Sequence, residues 1–211
     1  MPTLTLDFDV DSYGPNTDYP WPTATPSNPP GGAPIPDTWS AWVEWLDIPN
    51  MVFGLGDDTG IYIIERAAMA GAPPEPLYAG KALSFANRFN GRSNVLHEFG
   101  LTAAVLPNYT LRLAEVDSNP AYLNHVSLAE TWLIRFLYAR EWQAGAGPHM
   151  LQNIAKTGSF TAPANGLSIR YDPNHAPWYL HDAIAANFAG WVAPAANSVG
   201  FNYAPNSVVM P

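Results

Sequence analysis

Three short runs near the middle of the chain have the hydrophobic pattern of β-strands. Residues 60–66 and 76–80 are rich in β-branched and aromatic residues and end at turn signals, while in residues 109–116 aromatic and leucine side chains alternate with polar ones. Such runs of four to eight residues are typical of strands in a sheet. The pattern therefore predicts three strands over these residues.

Helical patterns follow the strands. A capping serine before helix-forming residues predicts a short helix over residues 84–90. The longest helical pattern covers residues 120–142, with Asn119 as its cap and Pro120 in its first turn. A further helix is predicted around residues 178–190, in a C-terminal part that is rich in proline, asparagine and aromatic residues.

The N-terminal part has a different composition. Residues 14–36 contain eight prolines, which excludes a helix or a central strand and indicates an extended, polyproline-like or disordered arm. Trp39, Trp42 and Trp45 then recur at three-residue spacing, which predicts a helix over residues 37–47. The tryptophan stripe fits a stacking platform for bases, but packing onto the core is the interpretation that we favour.

Composition excludes several classes of protein. The chain of 211 residues has no cysteine, which rules out disulfides, thiol catalysis and cysteine-ligated zinc. No apolar run is long enough to span a bilayer, and the first residues lack the basic region of a secretory leader. We therefore expect a cytoplasmic protein with no membrane partner.

The net charge of −9 is unevenly distributed. Residues 1–58 hold nine of the 18 acidic residues and no Lys or Arg, so the remaining nine acids are balanced by all nine bases. Lys81, Arg88 and Arg92 lie within twelve residues of one another without an intervening acid. They form a local basic patch that suits phosphate, although a solvated helix face has the same pattern.

One glutamate lies on an apolar helix face. Val126, Glu130, Leu133 and Leu137 share helical spacing, and a carboxylate on a buried face needs a partner. A metal ion is one candidate, and a core arginine such as Arg112 is the other. Tyrosines on neighbouring strands, cations at a helix start and one carboxylate are the groups needed to hydrolyse a phosphodiester with one metal ion.

These residues resemble the motifs of GIY-YIG nucleases over about residues 58–158. Gly60-Ile61-Tyr62 matches the first half-motif, and Tyr78-Ala79-Gly80 matches the second with alanine in place of isoleucine. The further matches are Lys81 after the second half-motif, Arg88 at the family spacing, Glu130 as the metal-binding glutamate and Asn153 as the closing asparagine.

The chain departs from the family pattern in two places. Many members carry His or Tyr four residues after the arginine, where this chain has Arg92. His97 reaches the same place if the loop carries a short insertion. The spacer between Tyr62 and Tyr78 is longer than in homing-type members and favours the restriction-enzyme branch.

The resemblance implies an α+β fold in which helices flank a small three-stranded antiparallel sheet. It also implies DNA hydrolysis with Mg²⁺ or Mn²⁺ held by Glu130. Tyr62 would activate water, aided by Lys81 or His97, and Arg88 would brace the phosphate. Each residue also fits an ordinary structural role, as a half-buried strand tyrosine or a surface cation.

The sequence thus predicts four segments: a Pro-rich acidic arm (1–36), a helical lead-in (37–58), a nuclease module (59–160) and a C-terminal extension that packs on it (161–211). A restriction-type endonuclease, acting as a homodimer on a symmetric site, is the main expectation. The alternatives are a toxin or mobile-element nuclease, or a catalytically silent module that binds a protein partner. The arm either competes with DNA for the basic patch or serves as a solubilising or dimer-linking tail.

Overall fold

A computed structural model describes residues 1–8, 26–27, 45–46, 58–66, 72–89, 108–118, 124–144, 151–153, 155–181 and 183–209. The two α-helices in these ranges are α1 (Phe85–Phe89) and α2 (His125–Gln143), and 3₁₀ turns lie at Trp178–Leu180 and Ala185–Asn187. The strands are β1 (Thr3–Phe8), β2 (Pro26–Ser27), β3 (Trp45–Leu46), β4 (Gly60–Arg66), β5 (Glu75–Ala82), β6 (Tyr109–Ser118), β7 (Phe160–Thr161), β8 (Leu167–Tyr171), β9 (Trp191–Ala195), β10 (Ser198–Tyr203) and β11 (Val208–Val209).

Seven strands form one mixed sheet in the order β5-β4-β6-β1-β8-β10-β9. The β1–β8 pair is parallel, whereas the other neighbours in this sheet are antiparallel. The predicted fold class, a small three-stranded sheet flanked by helices, is therefore wrong. The three predicted strands exist as β4, β5 and β6, but β6 pairs with β1 on its other side, and beyond β1 the sheet continues through three more strands, β8, β10 and β9.

Strand β1 lies near the middle of this sheet. Leu4, Leu6 and Phe8 are buried and alternate with exposed positions, as period-two patterning requires for a strand that packs on one face. The first residues of the segment predicted as an arm are therefore part of the sheet. The lead-in is also described in part: Trp45–Leu46 pairs with Pro26–Ser27 as a short antiparallel ladder, so these residues are not helical. The rest of the predicted helix over residues 37–47 lies outside the described residues.

The C-terminal part supplies β8, β9 and β10 to the sheet and a separate β7–β11 ladder. The helix predicted around residues 178–190 is wrong, because the described residues of this segment contain two 3₁₀ turns and no α-helix. The carbonyl of Leu180, which a continuing helix would use, accepts a hydrogen bond of 2.6 Å from the Tyr171 hydroxyl. Tertiary packing of Tyr179 and Leu180, both fully buried, therefore overrides the local helical preference.

Helix α2 packs against the sheet and forms the centre of the core. Trp132 and Leu133 are buried, and the Trp132 indole donates a hydrogen bond of 2.9 Å to the Tyr203 hydroxyl on β10. The predicted long helix is confirmed, but it begins at His125 after Asn124 rather than after Asn119. Within the described ranges, neither α1 nor α2 has the length and apolar character needed to cross a membrane.

Candidate active site

Strands β4 and β5 bring the two motif tyrosines together. In the antiparallel register Tyr62 lies opposite Gly80, and Ile64 lies opposite Tyr78, so both tyrosines emerge on the same face of the sheet. Their ring centroids are 6.1 Å apart with an interplanar angle of 30°. The Tyr62 residue is only 1% exposed, so its ring is held by packing and its position is well defined.

The glycines of the two half-motifs make room for aromatic rings. A Cβ atom at Gly80 would lie 2.4 Å from both Cζ and Oη of Tyr62. A Cβ atom at Gly60 would lie 2.6 Å from Cζ of Phe85 and 2.1 Å from the carbonyl oxygen of Ala114. Carbon atoms normally approach to about 3.5–4.0 Å, so a larger residue at either position would displace its neighbours.

Helix α1 places an arginine against the first tyrosine. Its start is capped as predicted, because the Asn87 backbone N–H donates to Ser84 Oγ at 3.2 Å. One turn further on, Arg88 donates from Nε and Nη2 to the Tyr62 hydroxyl oxygen, at 3.1 and 3.0 Å. Both donors belong to one guanidinium, so the two bonds are charge-assisted and polarise the phenol oxygen. The packing of Phe85 across Gly60 sets the position of this helix.

A second group of polar side chains surrounds Glu130 on α2. Lys81 donates to Ser127 Oγ at 2.6 Å, and its Nζ lies 4.0 Å from Glu130 Oε2. Lys156 donates a hydrogen bond to the same Oε2 atom. The Glu130 side chain is 12% exposed, so it is partly buried at the edge of the apolar face. Sequence reasoning missed Lys156, although it is the only Lys or Arg between Arg140 and Arg170.

Arg112, the alternative partner considered for Glu130, instead forms an ion pair with a glutamate on β4. Arg112 donates from Nε to Glu65 Oε1 at 3.2 Å, and the Tyr179 hydroxyl donates to the same oxygen at 2.6 Å. Glu65 is 0% exposed, and burial raises its pKa while Arg112 partly offsets this effect. Burial likewise raises the pKa of Tyr179. This buried cluster links β4 and β6 to the first 3₁₀ turn. Because Arg112 pairs with Glu65, the cationic partners of Glu130 in the described residues are Lys81 and Lys156.

Asn153 is attached to the edge strand. Its Oδ1 accepts a hydrogen bond of 2.9 Å from the Ala79 N–H, and its Nδ2 donates one of 2.8 Å to the Ala79 carbonyl. The neighbouring Gln152 N–H donates to the Leu77 carbonyl at 2.6 Å. The structure therefore places Asn153 where it holds β5, the strand that carries both Tyr78 and Lys81.

The two motif tyrosines, Arg88, Lys81 and Glu130 border one open groove of about 740 Å³. Consecutive residues of a strand point to opposite faces, and β5 is an edge strand, so residues from both faces can meet at this end of the sheet. Arg92 and His97 lie outside the described residues. The groove is lined by Tyr62, Tyr78, Lys81, Ala82, Leu83, Ser84, Asn87, Arg88 and Glu130.

The donor set fits a hard divalent cation bound mainly by water. Glu130 offers a carboxylate that borders an open groove, and Mg²⁺ commonly uses one or two carboxylates together with water and phosphate oxygens. In the part of the chain that the structure describes, no three His, Cys, Asp or Glu side chains are grouped as a metal cage. Any ion at Glu130 must share or replace the contact with Lys156.

Comparisons of the chain with models of protein families, with curated proteins and with solved structures found no match. The resemblance to GIY-YIG nucleases stays a prediction that rests on the residues described above.

Proposed function

We propose that this protein is a divalent-metal-dependent endonuclease that hydrolyses DNA phosphodiester bonds at the groove beside β5. The observation that carries the proposal is the pairing of Tyr62 with Arg88 in the same groove as Lys81 and Glu130. The proposal rests on this site and not on a fold, because one chemistry recurs on unrelated folds.

Arg88 and Lys81 supply the positive charge that phosphoryl chemistry needs. The guanidinium of Arg88 is planar and matches phosphate oxygens, while the ammonium of Lys81 acts as a point charge. Against them, Glu130 is the one carboxylate among the described residues that line the groove. This balance attracts a phosphodiester and stabilises the negative charge that the phosphorus centre gains during attack.

Tyr62 is the group that orients the attacking water and, as a phenolate whose own proton has gone to solvent, takes one proton from it. The hydroxide attacks phosphorus as the P–O bond to the leaving oxygen breaks, and that oxygen takes a proton from solvent. The Tyr62 hydroxyl oxygen accepts two hydrogen bonds from Arg88, which favours negative charge on that oxygen. The same arginine can then contact the phosphate, so that the water and the scissile bond are held by one rigid unit. Glu130 would hold Mg²⁺ or Mn²⁺, which when bound supplies Lewis-acid stabilisation of a phosphate oxygen.

The test is cleavage of supercoiled plasmid and of a labelled DNA duplex by the full chain, with Mg²⁺, with Mn²⁺ and with a chelator. Tyr62→Phe removes the phenol oxygen but keeps the ring over Gly80, and Arg88→Ala removes the guanidinium. Each should slow single-turnover cleavage by roughly 10²-fold or more, while DNA binding by the Tyr62 variant persists.

The matched control is Arg170→Ala. This arginine lies on β8, three strands away from β4, and donates to Asn202 at 2.6 Å. Its loss should leave the cleavage rate unchanged. A wild-type protein that does not cut DNA with either ion would contradict the proposal and favour a non-catalytic binding module. Groove variants that cut as fast as the Arg170 control would contradict the assignment of the chemistry to this groove.

A further inference from the structure

Lys156 reaches Glu130 from a segment anchored to the edge strand. Three residues before it, Asn153 holds the backbone of Ala79 by two hydrogen bonds. Lys156 itself has a φ of 65°, in the left-handed region that non-glycine residues seldom adopt. This uncommon backbone conformation therefore occurs at the residue whose ammonium group contacts Glu130 Oε2.

A divalent ion and this ammonium group need the same oxygen. Mg²⁺ binds carboxylate oxygens at about 2.0–2.1 Å, and an ammonium group in direct contact with Oε2 would then lie within a few ångströms of the ion. Like charges at such separations repel strongly in a partly buried site. The Lys156 side chain is 34% exposed, so it can leave the carboxylate and enter water at little energetic cost.

Glu130 does not need Lys156 for charge balance. Lys81 already lies 4.0 Å from Oε2 and is oriented by Ser127. A second lysine on one carboxylate leaves this cluster with an excess of positive charge. Such an excess suits the binding of phosphate but opposes the binding of a free cation.

We propose that Lys156 is a displaceable occupant of the Glu130 carboxylate: it fills the ion-binding position when no ion is bound and thereby lowers the affinity of the site for Mg²⁺ or Mn²⁺. This inference rests on the proposed function, since it takes Glu130 as the ion ligand. It assigns to Lys156 the control of ion affinity, so that the groove stays attractive to phosphate until an ion binds.

The experiment measures Mn²⁺ binding to the full chain by electron paramagnetic resonance, without DNA. Lys156→Met keeps a long unbranched side chain but removes the charge, and should tighten Mn²⁺ binding by roughly 3- to 10-fold. Lys156→Arg keeps the charge and should bind Mn²⁺ like wild type. Glu130→Gln identifies the signal that belongs to this site, and circular dichroism checks that every variant is folded; Lys156→Gln replaces the methionine variant if that one unfolds.

The outcomes distinguish the proposed role of Lys156 from the assignment of Glu130 as the metal ligand. Binding that depends on Glu130 but is not tightened by removal of the Lys156 charge would overturn the role of Lys156 and leave the proposed metal ligand in place. The absence of any Glu130-dependent binding, in wild type and in the Lys156 variants alike, would overturn the metal assignment and this inference with it.

Discussion

Gly80→Ala is expected to damage the site by a single added methyl group. The new Cβ would lie 2.4 Å from Cζ and Oη of Tyr62 and 3.0 Å from its Cε1. Because these contacts need about 3.5–4.0 Å, the ring must move by roughly 1 Å or more. Tyr62 is buried and hydrogen-bonded to Arg88, so the movement strains the packing and disturbs the Tyr62–Arg88 pair.

The size of the effect follows from three terms. Overpacking of a buried site typically costs about 1–3 kcal/mol, and weakening a hydrogen bond to a charged group costs up to about 1.5–3 kcal/mol. Gly80 does not have a left-handed φ, so alanine at this position gains about 0.5–1 kcal/mol of backbone entropy. We expect a net loss of about 2–4 kcal/mol in the free energy of unfolding, and a cleavage rate lowered by about 10²-fold.

Urea denaturation of Gly80→Ala measures the stability term. Gly158→Ala is the control, since its added Cβ would lie more than 4 Å from every atom of the described residues other than its chain neighbours, and it should be as stable as wild type or slightly more stable. In a Tyr62→Leu background the clashing atoms are absent. Gly80→Ala should then be neutral or mildly stabilising, so the coupling energy between the two positions should be about 2–4 kcal/mol, the size of the loss seen with Tyr62.

Two outcomes would refute this reasoning. One is a Gly80→Ala protein as stable as the Gly158→Ala control. The other is an equal loss of stability with Tyr62 and with Leu at position 62, which would show that Gly80 is required for a reason other than the ring.

Two further predictions concern stability. Asn153→Ala leaves the Ala79 N–H and C=O without their side-chain partners and should lower the free energy of unfolding by about 1–3 kcal/mol; a loss of cleavage without a loss of stability in urea would instead place Asn153 in the chemistry. Burial raises the pKa of Glu65 above its usual 4.5, so its stabilising contribution is present below that pH and is lost as the pH rises through the folded-state pKa. Glu65→Gln cannot ionise, so its stability relative to wild type should improve between pH 4.5 and neutrality in urea titrations, and a pH-independent difference would contradict the shift.

Local patterns predicted the elements that carry the groove. The strand over residues 60–66 has the predicted bounds, β5 and β6 extend the other two predictions by a few residues, and α1 begins after its predicted cap. These predictions succeed because strand and helix periods, turn residues and caps act over a few neighbouring residues. The motif spacing likewise specified five side chains that the structure brings to one groove, namely Tyr62, Tyr78, Lys81, Arg88 and Glu130.

Pairing across the sheet depended on tertiary structure. The alternation of Thr3–Phe8 marks a strand, but it does not specify β6 and β8 as its neighbours, and Thr3 pairs with Ser168 far along the chain. Nor does any local signal assign Arg112 to Glu65 or Lys156 to Glu130. A hydrophobic or charge pattern predicts that a face is buried or that a charge is paired. The group that serves as partner is the one that the completed fold places within reach.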